Sequence, residues 1–417
     1  MRVSVTVRGI AAGGSGVADL PDGRVVFVPR TAPGDRASVQ IEKSKPRWAT
    51  GSLCELIEPS AERREPPCVL YDVCGGCQLQ HLPYERQLEW KARFVKDALV
   101  RIGGLDVPVV PPIVGSPLET HYRNRISFAL RRLRGGRVVA GFHALARPGR
   151  IIDVVSECVL PRAALLDAWG ALRAGWGEAA AWLPRGERLR LTLRDGAGGV
   201  VLVVEGGEVG WSAAPLLEAV PVLRAIWHRP GPEGGTAHLA AGAADAGSPA
   251  FTQVNADVSA LLAEHVLELA GFLGTAVGTA VDAYAGVGEH ARRLAHRGWK
   301  VTAIELDPMA CRAARAAAAD RYAVLEGRVE DLLEELLPVD LLVVNPPRAG
   351  LDPEVVHRVL DRPPRRVVYV SCDPATLARD VAALGSAYDA TSVHCFDLFP
   401  QTAHVETVLS LVRKDET

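Results

Sequence analysis

The most constraining feature of the sequence is a series of strand-like runs, each ending in a cluster of polar residues with glycine or proline. In residues 246–417 the runs TAVDAYA, KVTAIEL, VDLLVVN and RVVYVSC alternate with Ala- and Leu-rich stretches of helical periodicity. Strands that alternate with helices are typical of a doubly wound, mainly parallel sheet. Two further strand-like runs joined by a turn close the tail. This part of the chain is therefore predicted to be a Rossmann-like α/β domain.

The rest of the chain divides into two segments with different patterns. Residues 1–59 contain short alternating runs broken by turns, including the hairpin signal Asp22-Gly23, and predict a small β-barrel. Residues 60–245 mix strand-like and helical stretches around a cysteine-rich segment. A helix predicted over 83–103 is a candidate to pack on the third segment, 246–417. We therefore expect three domains.

Composition and charge narrow the class of protein. The chain has 417 residues and a formal charge of −2, so its net charge gives no general attraction to nucleic acid. No apolar run reaches the ~18 residues that span a bilayer, and the start of the chain lacks an apolar signal core. A cytoplasmic protein without a membrane partner is expected. In that compartment clustered cysteines are expected to bind metal or to react rather than to form disulfides.

The strand ends predict a nucleoside-binding pocket, because ligands of open α/β sheets bind at the carboxyl ends of the strands. Gly286 and Gly288 follow the first strand and allow a tight turn close to a ligand. Glu305 ends the next strand and suits ribose hydroxyls. A G-x-G pair alone is a weak signal. The NAD alternative is disfavoured because Ala291 stands where its motif has a third glycine.

A second motif is the cysteine set of residues 68–77. Cys68, Cys74 and Cys77 form C-x5-C-x2-C, with two glycines between the last two, and Cys158 is the natural fourth ligand. Four thiolates suit both tetrahedral zinc and a [4Fe–4S] cluster, and spacing alone does not choose between them. A radical-SAM enzyme is disfavoured because it would have C-x3-C-x2-C.

An arginine-rich segment predicts contact with RNA. Residues 121–150 contain eight arginines and no aspartate or glutamate, interleaved with Tyr122, Phe128 and Phe142. Arginines suit phosphates, and aromatic rings suit unstacked bases.

The strand-end motifs DAYAGVG, IELDP, NPPR and SCDP, in this order, resemble those of the TrmA/RumA-type SAM-dependent RNA uracil-5-methyltransferases. FTQVN at 251–255 resembles the opening SAM-contact motif, and the barrel resembles a TRAM domain, so the likeness covers nearly the whole chain. It implies a Rossmann-like class I methyltransferase domain, an N-terminal OB-like TRAM barrel and a central α+β domain carrying a four-cysteine cluster. The implied activity is methyl transfer from S-adenosyl-L-methionine (SAM) to C5 of a uridine.

Such a reaction requires a thiolate that adds to C6 of the base and a second group that removes the C5 proton. The stretch SCDPATLARD resembles the family's nucleophile motif and implies Cys372 as the nucleophile. An unperturbed thiol has a pKa of ~8.5, and Arg348 and the backbone N–H groups after the strand are expected to lower it. The H-x-E-T segment implies Glu406 as the base, with His404 orienting it or contacting the substrate.

The resemblance also implies the ligand contacts. SAM is expected on Gln253, Tyr284, Gly286, Gly288, Glu305 and Asn345; a [4Fe–4S] cluster on Cys68, Cys74, Cys77 and Cys158; and RNA on Arg123, Arg125, Arg348 and His404. Three positions depart from the family. Asn345 stands where many members have aspartate, and Glu289 and Arg328 stand where several have an asparagine near the cofactor.

The barrel together with the cysteine set resembles the rRNA-modifying members of the family. We therefore expect 23S ribosomal RNA as the target in preference to tRNA. The target base must be flipped out to reach Cys372. A monomer is expected. The alternatives are a tRNA uracil-5-methyltransferase with the same mechanism, a radical-SAM enzyme, a cytosine-5 RNA methyltransferase, and an RNA-binding protein with a degenerate methyltransferase fold.

Overall fold

The computed structural model describes residues 1–105, 110–196, 198–231, 236–243, 250, 252–271, 278–317 and 320–416. The chain forms two units. The first comprises Met1–Gln87, Leu118–Pro249 and Pro400–Ala403, and the second comprises Leu88–Pro117, Ala250–Phe399 and His404–Thr417. Helix α1 (Tyr84–Arg101) begins in the first unit and continues in the second.

The first unit opens with a closed five-stranded barrel. Its strands are β1 (Arg2–Ile10), β2 (Gly16–Asp19), β3 (Val25–Val28), β4 (Arg36–Ser44) and β5 (Trp48–Glu58), in the order β1-β2-β3-β5-β4. Inward residues alternate with outward ones along each strand, as the pleat requires, and the inward valines and alanines form a small core. Gly23 adopts φ 83° in the predicted hairpin turn between β2 and β3. The predicted barrel is confirmed.

A mixed sheet forms the remainder of the first unit. Its strands are β6 (Arg125–Arg132), β7 (Val138–His143), β8 (Ile151–Asp153), β9 (Arg188–Gly196), β10 (Gly199–Glu205), β11 (Leu223–Arg229) and β12 (His238–Gly242), in the order β12-β11-β10-β9-β6-β7-β8. Helices α2 (Ala163–Gly175) and α3 (Ala214–Ala219) pack on it, with short 3-10 turns at Arg134–Gly136 and Glu178–Ala180. Trp169 of α2 is fully buried and stacks on Phe128 with 3.8 Å between ring centroids.

The second unit contains the predicted doubly wound sheet. Its strands are β13 (Thr279–Ala283), β14 (Lys300–Glu305), β15 (Tyr322–Glu326), β16 (Leu341–Val344), β17 (Arg366–Ser371), β18 (Tyr388–Phe396) and β19 (Glu406–Arg413), in the order β15-β14-β13-β16-β17-β19-β18. Only β19 among them runs antiparallel to the others. Strand β15 is an addition to the strands predicted from the sequence.

Helices cover both faces of this sheet. They are α4 (Ala256–Gly271), α5 (Glu289–His296), α6 (Pro308–Ala316), α7 (Val329–Leu336), α8 (Pro353–Asp361) and α9 (Pro374–Leu384). Helices α4, α5 and α6 pack on one face, and α7, α8, α9 and part of α1 pack on the other. Alternate residues of β16 enter the two cores, which explains why the strand is continuously apolar. No helix in the described ranges combines the length and the apolar character needed to cross a bilayer.

Candidate active site

The second unit brings the predicted catalytic residues to one edge of its sheet. Because β13, β14, β16 and β17 are parallel, their carboxyl ends meet at that edge. Strand β19 is antiparallel to β17, so it begins there. The register pairs Ser371 with Thr407, which sets Cys372, just after β17, across from Glu406, the first residue of β19. We call Cys372 and Glu406 the thiol–carboxyl pair.

Glu406 is buried, with 3% of its surface exposed. Burial raises the pKa of its carboxyl to about 7, against the opposing effect of the Arg348 guanidinium. A carboxylate in an apolar setting loses its hydration, so the neutral form is favoured. The group therefore gains and loses a proton near neutral pH, which is the range in which a general base works best.

Cys372 is half-buried and is held by a short, capped turn. The Ser371 hydroxyl accepts a hydrogen bond from the Asp373 backbone N–H at 3.1 Å, and the Asp373 carboxylate caps α9 at Ala375 and Thr376. Asp at an N-cap followed by Pro at the first helical position is a strong helix start. The turn ends β17 and begins α9, so the Cys372 thiol lies just after the strand, at the edge of the sheet.

The pKa of Cys372 lies above its ordinary value. Burial is the main cause, and the negative charge of Glu406 adds to it; Arg348 and the thiol's own backbone N–H act in the opposite direction. Arg348 and the backbone N–H act on the pKa in the direction predicted from the sequence, but burial and Glu406 outweigh them. The resting thiol is therefore protonated at neutral pH, against the prediction.

Arg348 and His404 lie beside the thiol–carboxyl pair. The Arg348 guanidinium lies 3.3 Å from His404 Nε2, and its charge lowers the pKa of both members of the pair. The backbone here is fixed to α9, because the Arg348 carbonyl accepts a hydrogen bond from the Thr376 hydroxyl at 3.1 Å. Gly350 turns with φ 85°, and a side chain there would collide with α9. The backbone contacts thus fix the exposed Arg348 next to the buried Glu406 at this edge of the sheet.

The cofactor loop follows β13, and every second residue in it has left-handed backbone. Tyr284, Gly286 and Gly288 adopt φ 61°, 58° and 77°. The Gly286 N–H donates to Glu305 Oε2 at 2.8 Å, while Glu305 Oε1 accepts from the backbone of the two residues that follow it. A side chain at Gly286 would meet nothing within 4 Å, whereas one at Gly288 would collide with the Tyr322 hydroxyl. The loop is therefore open to a ligand on one side and packed on the other.

Asp282 is a residue of this site that the sequence analysis did not select. It is fully buried and accepts a hydrogen bond from the Ala291 N–H at 2.9 Å, so it joins the end of β13 to the start of α5. Burial raises the pKa of its carboxyl to about 7, and Glu305 contributes to the rise. Its position as the first residue of DAYAGVG was the available signal.

Two predicted cofactor contacts flank the loop. The Asn345 N–H donates to the Ala283 carbonyl at 3.2 Å, which extends the β16–β13 pairing and leaves the half-buried side chain at the edge. Gln253 is half-buried just before α4. Phe251, of the same FTQVN motif, lies outside the described residues. Asn255 donates to the Ser116 hydroxyl at 3.0 Å and caps α4 through the Val258 N–H.

The two other residues that depart from the family pattern, Glu289 and Arg328, form ion pairs with residues of their own helices. Glu289 opens α5 and forms ion pairs with Arg292 and Arg293 at 2.8 and 2.6 Å. Arg328 is the N-cap of α7 and pairs with Glu330.

Comparison with known proteins identifies the family. A tRNA (Uracil-5-)-methyltransferase family model matches residues 323–414, and a TRAM domain model matches residues 1–54. An uncharacterized RNA methyltransferase of Synechocystis sp. is 33% identical over 98% of this chain and 95% of that protein. Another, of Nitratidesulfovibrio vulgaris, is 33% identical over 100% of this chain and 97% of that protein. The chain belongs to the RNA uracil-5-methyltransferase family.

A solved structure supports the same assignment. The tRNA (uracil-54, C5)-methyltransferase of Pyrococcus abyssi, in complex with S-adenosyl-L-homocysteine, is 26% identical and superposes with a TM-score of 0.72 over 99% of this chain and 100% of that chain. The predicted class I methyltransferase fold with an OB-like barrel is confirmed. As a member of the uracil-5-methyltransferase family, the protein uses SAM.

In this family member the four predicted cluster cysteines lie in the first unit and influence one another. Burial raises the pKa of Cys77 to about 11, with the charges of Cys74 and Cys68 adding to the rise. Burial raises that of Cys158 to about 12, again with contributions from Cys77 and Cys68. Cys68 also lies beside the segment that carries Cys158, because its thiol donates to the Glu157 carbonyl at 3.6 Å. Within the described ranges, no three or more His, Cys, Asp or Glu side chains are arranged around the position of a metal ion.

The loop that carries three of these cysteines is held from the barrel side. The Arg30 guanidinium donates to the Cys74 carbonyl at 2.6 Å and to that of Cys77, and lies 3.6 Å above the centre of the Tyr71 ring. The Tyr71 hydroxyl donates to the Gln78 carbonyl at 2.7 Å. A buried cation that satisfies two carbonyls fixes the loop independently of any bound group.

Of the three arginines predicted to bind RNA, Arg123 and Arg125 are half-buried and Arg348 is exposed. Arg123 donates to the Tyr122 hydroxyl at 3.3 Å, and its charge lowers the pKa of Cys77 and Cys158. Burial lowers the pKa of Arg125. Arg123 is thus near the cysteine set, and its contact with RNA stays a prediction.

Proposed function

We propose that the protein methylates C5 of a uridine in RNA through a covalent adduct between Cys372 and C6 of the base. The observation that supports this most directly is the thiol–carboxyl pair. The Cys372 thiol, just after β17, and the Glu406 carboxyl, at the start of β19, are opposite each other in the strand register, at the edge where this fold binds its ligands. Residues 246–417 carry out the chemistry, and residues 1–59 and 60–245 bind the RNA.

Each step requires a different state of the pair. Cys372 releases its proton to solvent, and its sulfur then bonds to C6 as the C5=C6 double bond opens, which makes C5 an enolate carbon. When bound, SAM supplies the methyl group from its sulfonium sulfur. The Glu406 carboxylate then takes the proton from C5, the C5=C6 double bond re-forms, and the Cys372 thiolate leaves. Arg348 favours the anionic form of both residues, since its charge lowers both pKa values.

The residues of the cofactor loop fit SAM. The open side of Gly286 lets the backbone approach a ligand, and Glu305 is held by three backbone N–H groups with its oxygens at the edge. In this proposal Tyr284, Gln253 and Asn345 contact the rest of the molecule. An asparagine at 345 keeps hydrogen bonding but not the negative charge that many family members have there.

The cysteine set suits a [4Fe–4S] cluster by its donor chemistry, since it offers four thiols, and Arg30 fixes the loop that carries three of them. Cys68, Cys74, Cys77 and Cys158 would hold it. Methyl transfer by this route needs no electron, so the cluster serves the shape of the first unit. Anaerobically purified protein is expected to be brown, and a colourless, zinc-loaded protein would overturn this assignment.

Two RNA targets are distinguished by different observations. The combination of a TRAM barrel with the cysteine set favours rRNA. The similarity to the Pyrococcus abyssi tRNA enzyme over 99% of the chain favours tRNA as the second candidate.

The decisive experiment is methyl transfer from labelled SAM to rRNA and tRNA pools that lack 5-methyluridine, followed by nucleoside analysis. We expect label in 5-methyluridine from rRNA. Label in 5-methyluridine from tRNA would support the same reaction but identify tRNA as the substrate. Cys372→Ala should abolish turnover while SAM binding persists. The control variant Cys54→Ala, which removes an exposed thiol of the first unit, should leave turnover unchanged. Turnover by Cys372→Ala, or label in cytidine, would refute the mechanism.

Glu406→Gln gives a second, independent test of the roles within the pair. This variant should methylate the base but retain it as a covalent protein–RNA adduct, because the final elimination lacks its base. The adduct is visible as a shifted band on a denaturing gel. Normal turnover by this variant would show that Glu406 is not the base and that another group removes the C5 proton.

A further inference from the structure

The first unit contains a cleft that the proposed chemistry does not use. Its volume is about 490 Å³, within the ~300–1,000 Å³ typical of ligand sites. It lies between the cysteine-bearing loop and the segment that runs from β7 to β8. The lining residues of interest are three arginines and three apolar side chains: Arg137, Arg147, Arg150, Val73, Val139 and Ile151.

The three arginines are exposed and available. Among the described residues, none of them has a side-chain hydrogen bond or ion pair. Their neighbours are different: Arg131 pairs with Glu187, and Arg173 pairs with Asp153. A guanidinium presents a planar fork of N–H donors that matches phosphate, and a cleft lined by one sign of charge concentrates the opposite charge, so these groups suit an anion.

The charge of the cleft is positive. Three guanidinium groups face two carboxylates, those of Asp72 and Asp153. Asp153 is engaged, because Arg173 binds both of its oxygens at 3.0 Å and the Ala140 N–H donates to it at 2.8 Å. Only Asp72 therefore opposes the three cations.

The floor of the cleft is apolar. Val139 and Ile151 are half-buried there, and Val73 is 49% exposed. Exposed apolar surface beside unpartnered cations suits a ligand that has both a flat apolar face and negative charges. An unstacked nucleotide has both, whereas a duplex hides its base faces.

The loop that carries two of the arginines is held in place by the cysteine-bearing loop. Leu145 N–H donates to the Val73 carbonyl and Gly75 N–H donates to the His143 carbonyl, both at 2.9 Å. Cys74 and Ala144 form an isolated antiparallel bridge. Because the loop is ordered before any ligand arrives, binding costs less conformational entropy.

We infer that this cleft binds a single-stranded segment of RNA, with Arg137, Arg147 and Arg150 on its phosphates and a base against the apolar floor. The inference rests on the proposed function only for the presence of an RNA substrate. It gives the arginine-rich segment a binding site different from the one predicted at Arg123 and Arg125.

The test measures binding of a fluorescein-labelled, single-stranded 20-nucleotide RNA of mixed sequence by fluorescence anisotropy over a range of salt concentrations. All variants carry Cys372→Ala, so no adduct forms. Arg147→Gln with Arg150→Gln should weaken binding about tenfold and reduce the slope of log Kd against log salt by ~1.4, since each single-strand phosphate contact contributes ~0.7. Arg185→Gln with Arg224→Gln removes the same charge from exposed positions outside the cleft and should change little.

Equal effects of the two double variants would overturn the inference, as would an unchanged slope. In competition, unlabelled single-stranded RNA should displace the probe better than a duplex of equal length; equal displacement would overturn the single-strand assignment. Thermal melting of each variant checks folding. Methyl transfer is measured separately with Cys372 intact. If no RNA is methylated while the arginine-dependent binding persists, the proposed function fails and the cleft assignment stands. If RNA is methylated but the arginine substitutions in the cleft do not weaken binding, the cleft assignment fails and the proposed function stands.

Discussion

Replacing the buried Glu406 with glutamine should stabilise the fold at high pH while it removes the base. The pKa of this carboxyl is about 7 in the folded chain, above the ordinary 4.5. The folded state therefore holds the proton more tightly than the unfolded state. Stability from this group is present below pH 4.5 and is lost as the pH rises to about 7. At about 1.4 kcal/mol per pH unit, the full loss is about 3 kcal/mol. A glutamine at this position does not titrate and avoids that loss.

The assay is thermal melting of the wild type and Glu406→Gln at pH 5 and pH 8, without ligand. For a unit of this size, 1 kcal/mol changes Tm by ~2–4 °C, so the advantage of the variant should grow by ~5–10 °C between the two pH values. Glu335→Gln, which neutralises an exposed carboxylate on α7, serves as the control and should show no such growth. An equal Tm difference at both pH values, or a larger one at pH 5, would refute the reasoning.

Two further predictions concern positions fixed by packing. Gly288→Ala should lower the melting temperature, because its methyl group would collide with the Tyr322 hydroxyl in left-handed backbone. Gly286→Ala places its methyl group on the open side of the loop, where SAM is expected, and should therefore lower SAM affinity in calorimetry. Lys91→Met should reduce stability by ~3–5 kcal/mol, because Lys91 and Asp397 are both fully buried and only 2.6 Å apart. Adding Asp397→Asn should recover part of that loss in thermal melts, and no recovery would argue against a charge effect.

Much of the second unit follows from local patterns. Buried parallel strands are continuously apolar, and each ends where the polar cluster begins, so the motifs around Gly286, Glu305, Asn345 and Cys372 could be assigned to one edge of a sheet. The short strand β15 was missed because its five residues, YAVLE, lack a clear pattern. Local sequence is therefore sufficient where periodicity and strand ends coincide.

What the sequence could not provide depends on residues far apart in the chain. The raised pKa of Cys372 results from burial and from Glu406, which reaches it only through the β17–β19 pairing. Likewise, the motif around Arg123 indicated a surface site, but its neighbours in space are cysteines from two other segments. The cleft itself exists only because the cysteine-bearing loop pairs with residues 143–145. Such placements follow from topology rather than from spacing.

The antiparallel course of β19 sets how the protein can change over evolution. The base is positioned by a ladder of backbone hydrogen bonds that runs from Arg366–Val412 to Ser371–Thr407. Inserting one residue within that ladder would turn Glu406 to the opposite face of the sheet, since side chains alternate with a period of two. The segment between β18 and β19 is constrained as well, because Gln401 and Thr402 are buried and the Gln401 carbonyl accepts hydrogen bonds from the Gln78 and Leu79 N–H groups. Descendants of this chain should therefore hardly vary in length from this segment to the end of β19.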